Sequence, residues 1–220
     1  MTTTAPARAR RTRRAALALT ATLALTLTAC GGADDDAAPA APRTAADGSV
    51  FNDADVTFAT EMIPHHAQAV AMVDLMDGRT LDPALVDLGE GIREAQTPEI
   101  QQMSAWLTAW DEPVPETVRD HANAHGGDHG SDHGGDDEDG DGMAGMEGML
   151  SADQMAELES ADDAAFVDLW VEGMIAHHEG AVAMAETEID EGANEEAVAL
   201  AEQVVATQSA EIEELQALLG

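Results

Sequence analysis

Cysteine is almost missing from this 220-residue chain: there is one, Cys30, which excludes a disulfide framework and any Cys-rich metal site. Tyrosine is absent, and three Trp and three Phe are the only aromatics. A core of Ala, Leu, Val and Met follows, which suits helices better than sheets. Lysine is absent too: the nine basic residues are all Arg, against 44 acids. Five of them (Arg8, Arg10, Arg11, Arg13, Arg14) precede residue 15, so loss of a short leader would leave four Arg facing 44 acids. Such a chain repels phosphate backbones and anionic headgroups, and nucleic acid is excluded as a partner.

The leader is an address. Arg8 to Arg14 form a positive region, and Ala15 to Leu27 form an apolar stretch too short to span a bilayer. Leu27-Thr28-Ala29-Cys30-Gly31 then resembles a bacterial lipobox. In that reading residues 1–29 are a signal peptide, and acylated Cys30 anchors the chain on the outer face of the cytoplasmic membrane. An ordinary secretory signal with an incidental Cys is the alternative, and the export route stays open. Residues 30–50, rich in Gly, Ala, Asp and Pro, read as a disordered tether.

An internal repeat organises the rest. Phe58-Ala-Thr-Glu-Met62-Ile63-Pro-His65-His66-Ala-Gln-Ala69-Val70-Ala71-Met72 returns 112 residues later as Trp170-Val-Glu-Gly-Met174-Ile175-Ala-His177-His178-Glu-Gly-Ala181-Val182-Ala183-Met184. The same offset carries Gln96-x-x-Glu99-Ile100 onto Gln208-x-x-Glu211-Ile212. The chain is a tandem duplication, and each half is one structural unit.

Apolar residues at three- and four-residue steps make each half a helical hairpin, 51–110 and 151–220. Expected helices run over 53–77 with Asp53 as N-cap, 83–110 opened by Asp82-Pro83, 163–190 after a Ser160-x-x-Asp163 capping box, and 195–219 capped by Asn194. Pro64 and Pro98 interrupt the helices they sit in, but Ala176 and Ala210 replace them in the second half. The fold class is therefore all-α, an antiparallel four-helix bundle. The linker, 111–150, is long enough to cross the bundle's length, as in ferritin-like topology.

Helices of equal length meet middle to middle, and the four midpoints fall near His65, Gln96, His177 and Gln208. One polar layer is expected, with His65, His66, His177 and His178 as metal ligands. Met62 and Met174, three residues before each first His, are soft ligands within reach. Gln96, Glu99, Gln208, Glu211 and Glu179 are possible ligands or partners of ligands. Adjacent histidines point about 100° apart, so at most one of each pair looks straight at the bundle axis. No catalytic residue is assigned. The linker is a looser candidate: His121, His125, His129 and His133 recur every four residues, and Met143, Met146 and Met149 follow at glycine-spaced positions. Imidazoles suit Cu(II), and thioethers suit Cu(I).

At Met-Ile-x-His-His and Gln-x-x-Glu-Ile, twice over, the sequence resembles the bacterial family catalogued as domain of unknown function 305. The resemblance covers about residues 51–110 and 143–220. It implies a ferritin-like bundle in an exported protein, with copper binding and tolerance in some relatives and no reaction assigned to the family. The first half departs at Ala67-Gln68, where the second has Glu179-Gly180. The leading expectation is a lipid-anchored protein that sequesters or handles copper. A ferritin-like di-iron or di-manganese oxidoreductase is the second reading, weakened because Met stands where such sites place Glu. A non-metal interaction module with a buried His–Gln–Glu network is the third.

Overall fold

The computed structural model describes residues 41–117 and 146–219. Two short strands, β1 (Arg43–Thr44) and β2 (Val50–Phe51), pair antiparallel and lead into α1 (Asp53–Asp74). α2 (Pro83–Ala109) completes the first hairpin. A short α3 (Ala152–Ser160) precedes the second, formed by α4 (Asp163–Glu191) and α5 (Glu195–Leu219). Each start satisfies its orphan N–H groups with a side chain. Asp82 accepts from Ala84 N, Asp162 from Ala164 N and Ala165 N, and Asn194 from Glu196 N and Ala197 N.

The helices form a bundle in which every neighbour is antiparallel. Asn52 Nδ2 at the start of α1 donates to Glu191 O at the end of α4, and Trp170 Nε1 at the start of α4 donates to Met72 O near the end of α1. Trp106 of α2 reaches Glu196 of α5 in the same sense. α2 thus stops at one end of the bundle and α4 begins at the other, so their connection crosses the full length, as in ferritin-like topology. Two apolar clusters fill the interior. Phe58, Met62, Met103, Ala181 and Val204 belong to one, and Met72, Ile92, Phe166, Trp170, Met174 and Leu215 to the other. The histidine level lies between them.

Local details differ from the sequence expectations. Asn52, not Asp53, caps α1: its backbone is extended, and its side chain accepts from Ala54 N and Asp55 N while Asp55 accepts from Asn52 N. Asp53 is free to pair with Arg43 at 2.9 Å. α1 ends at Asp74, and the Asp77-Gly78 pair lies in the turn beyond it. Ser160 does not open α4. It closes α3, its hydroxyl bonded to Ala156 O, and the capping box is Ser151 with Gln154, at the head of a helix the periodicity does not reveal. α2 ends at Ala109 with Trp110 as its C-cap, and Asp111 follows in the left-handed region, before Pro113 and Pro115.

The 30–50 tether is ordered at its end. The Asp47-Gly48 turn folds β1 back on β2, Phe51 stacks on Trp110 at 4.8 Å, and the Arg43 guanidinium lies 4.5 Å from the Phe51 ring centroid. The 111–150 linker is likewise docked at its end: Leu150 is buried and bonded to Gln68. The leader, Cys30, His121, His125, His129, His133 and Met143 lie outside the described residues. Among the described residues no helix is long and apolar enough to cross a membrane.

One carboxyl pair ties α1 to the α4–α5 turn. Asp55 is fully buried and accepts from Asn52 N, Ala193 N and Asn194 N. Glu188 is buried beside it. Burial, then the neighbouring Asp55, push the Glu188 carboxyl up to about 9, so it keeps its proton at neutral pH. A carboxyl raised in the fold stabilises fully below its unfolded value, 4.5, and loses that contribution as pH climbs to about 9. Glu188→Gln, which donates without titrating, is expected to be more stable than wild type by about 2 kcal/mol at pH 9. It should differ little near pH 4.5. Urea unfolding at the two pH values measures this, and equal shifts at both would contradict the retained proton.

Candidate metal centre

Each hairpin builds half of the polar layer from its repeat. In the first, His66 Nε2 on α1 meets Glu99 Oε2 on α2 at 2.8 Å. In the second, His178 Nε2 on α4 meets Glu211 Oε2 on α5, again at 2.8 Å. The remaining pair meets between hairpins: the His65 and His177 rings lie 3.8 Å apart between centroids, tilted by 42°. All four histidines are 0% exposed. The 100° offset of helical neighbours thus sends one His of each pair across the bundle and the other into its own hairpin, and both are enclosed.

Electrostatics at the centre favour neutral rings. Burial pushes His65 down to about 3, reinforced by His66, and the Glu147 carbonyl only partly offsets this. Burial, followed by the neighbouring His65 and His178, holds His177 well below the usual 6.5. Hydrogen-bond partners then decide which nitrogen carries the proton. His65 Nε2 lies 3.2 Å from the main-chain oxygen of Glu147, so it is the donor and Nδ1 keeps the lone pair. His66 and His178 likewise turn Nε2 toward a carboxylate. Every one of the four Nδ1 atoms is buried without a partner, and His177 Nε2 is too. Gln96 leaves both amide atoms unpaired in this layer and Gln208 leaves Oε1. Eight of the eleven unpaired buried side-chain atoms among the described residues belong to this one level. Buried polar atoms in native proteins have partners, so such a concentration marks a place built for one.

The layer gathers some of the expected residues and not others. Gln96, Glu99 and Gln208 are buried in it, and Glu211 is at its edge. Met62 and Met174 are fully buried one turn from their histidines, but α1 and α4 run in opposite directions, so the thioethers enter opposite apolar clusters and flank the layer from its two sides. Glu179 is exposed and takes no part, because it follows His178 on the outer face of α4. Met146 and Met149 are half-buried on the docked end of the linker. Among the described residues, no three His, Cys, Asp or Glu side chains are gathered tightly enough to hold one ion. The four imidazoles are therefore not one tetrahedral cage.

Sequence reading missed two contributors, Gln68 and the Glu147 main chain. The signal was present as the break in the repeat at Gln68 and Gly180.

The unpaired centre makes a stability prediction. A ring neutral in the fold, with its pKa below the unfolded value, contributes fully above pH 6.5, and that contribution falls away as pH drops below it. His177→Leu removes two unpaired nitrogens and a buried titratable group. The variant is expected to gain about 1–3 kcal/mol at pH 7 and to keep more of its stability at pH 5 than wild type. Thermal melts of the metal-free protein test this; a destabilised variant would show that His177 has partners after all.

Comparison with known proteins places the chain. A family model described as "Domain of unknown function (DUF305)" matches residues 55–219. The crystal structure of a DUF305 fragment from Deinococcus radiodurans is 28% identical and superposes with a TM-score of 0.61, covering 81% of this chain and 99% of that one. A putative secreted DUF305 protein from Streptomyces coelicolor is 27% identical at a TM-score of 0.60, covering 76% and 91%. CopM in its Cu(II)-bound form is 27% identical at 0.56, covering 74% and 94%. No protein with a curated description matches. The duplicated histidine motifs and the bundle they sit in make this chain a member of the DUF305 family.

Proposed function

We propose that this protein is an exported, lipid-anchored copper-handling protein that holds its cargo in the bundle centre, at His65 and His177. His66, His178, Met62 and Met174 complete the surroundings. The observation that carries this reading is the set of four fully buried histidines with every Nδ1 unpaired. Three of the four rings turn Nε2 toward an oxygen of Glu147, Glu99 or Glu211, which is how metal-binding imidazoles are oriented. CopM, which has been crystallised with Cu(II), supports the choice of metal.

The carboxylates argue against the di-iron or di-manganese reading. Glu99 and Glu211 each face a histidine at 2.8 Å, and among the described residues no three His, Cys, Asp or Glu side chains gather to hold an ion. Bundle diiron sites place a carboxylate on every helix. Anchoring through Cys30, after the Leu27-Thr28-Ala29 run, would hold the bundle outside the cytoplasmic membrane. The His121–His133 and Met143–Met149 stretch would act as a low-affinity collector.

The test is a copper titration resolved by oxidation state, on the purified chain and on one lacking residues 120–145. Binding is expected to survive the deletion. His177→Leu, expected to be the more stable fold without metal, should bind copper at least about 100-fold more weakly. Unchanged binding in that variant would overturn the central site, and loss of all binding on deletion would move the site to the linker.

A further inference from the structure

Among the positions where the two copies of the repeat differ is one whose two versions touch the same stretch of chain. Gln68 on α1 and Gly180 on α4 are repeat equivalents. Gln68 grips Leu150 at two points: Nε2 donates to Leu150 O at 2.9 Å, and Oε1 accepts from Leu150 N at 2.8 Å. On the other side, a methyl group at Gly180 would overlap the Glu147 carbonyl oxygen, and one at Gly148 would overlap Ala176 O. Gly148 itself is left-handed, with φ +82°, which a side chain would resist. A clamp on one helix and a cleared surface on the other thus seat residues 147–150 across the bundle. Seated there, Glu147 O lies 3.2 Å from His65 Nε2. The equivalent nitrogen of His177 has no such oxygen.

We propose that Gln68 and Gly180 are positioning residues for the metal site: they dock the Glu147–Leu150 strap so that its main-chain carbonyl keeps the His65 proton on Nε2 and leaves Nδ1 free to ligate. The inference rests on the copper reading for its ligand, but the proton placement exists in the metal-free protein and is tested there. It also explains why a duplicated chain departs from its own repeat here. Among the described residues one strap passes the pair, so one half clamps it and the other half gives way to it.

The experiment uses the full chain with ¹⁵N-labelled histidine. Long-range ¹H–¹⁵N spectra read the His65 tautomer, amide exchange at Leu150 reads strap docking, and Ag(I) serves as a redox-inert probe. Wild type should show His65 protonated on Nε2 and a protected Leu150 amide. Gln68→Ala, and independently Gly180→Ala, should lose that protection, mix the His65 tautomers and weaken Ag(I) by about 10–100-fold. Glu147→Ala should change none of these, because the working atom is main-chain. A wild-type His65 protonated on Nδ1 would overturn the proposal, as would a Gln68→Ala variant with unchanged tautomer and Ag(I) affinity. So would a Glu147→Ala variant as impaired as Gln68→Ala. A tautomer shift in Gln68→Ala, with no Ag(I) uptake even by wild type, would uphold the strap and sink the copper reading.

Discussion

Two imidazoles packed ring against ring at the middle of a helical bundle set the terms for everything around them. Neither can hold a charge there, because burial and each other's proximity push both toward the neutral form. Neutral, they still carry nitrogens that want partners. An unpaired buried polar atom costs about 1–3 kcal/mol. Eight of them lie on this one level. The fold bears this because apolar clusters close over the layer from both sides, with Trp170, Phe166, Met62 and Met174 nearly or fully buried. A bundle selected for stability alone would put leucine at these positions. Histidine stands there instead in both copies of the repeat.

Duplication explains the symmetry, and the crossover explains its failure. The His66–Glu99 and His178–Glu211 pairs have the same length because each is built inside one hairpin from the same spacing. The strap comes from the connection between hairpins, which has no second copy. It lies against both halves at once, so equivalent positions meet it from opposite sides and have different jobs: one grips through an amide, the other gives room by having no side chain. The result is a central pair that is chemically unequal, one ring with a fixed proton and one without.

The scarcity of positive charge shows in how the ends are held. The three arginines among the described residues are all committed to the scaffold. Arg43 joins the hairpin to Asp53 and Glu112, and Arg93 pairs with Asp74. Arg79 donates to the last carbonyls of α3 at Glu159 and Ala161 and lies 3.9 Å from the Phe166 ring centroid. Inside the end where α1 meets the α4–α5 turn, a carboxyl that keeps its proton, Glu188, is buried beside Asp55. In a chain with 44 acids, a proton is the nearest substitute for an arginine.

Local chemistry determined what the sequence could show alone: four long helices, the repeat that pairs them, and one polar level bearing His65, His66, His177 and His178. These follow from spacing along the chain, because helical rise and periodicity convert residue number directly into height and face. Short signals without periodicity were less legible. Asn52 rather than Asp53, and Ser151 rather than Ser160, became caps because side-chain acceptors compete for the same few N–H groups, and the winner depends on where the backbone leaves the extended region. Tertiary structure alone decided which imidazoles meet, that the methionines fall on opposite sides, that Glu179 faces water, and that Gln68 and Gly180 hold a strap from beyond either hairpin. Those facts depend on helix direction and on contacts between distant residues, such as His65 with Glu147 and Gln68 with Leu150, each 82 positions apart. The pairing of such distant groups is a property of the packed bundle, where the cost of burying an imidazole is settled by its neighbours in space.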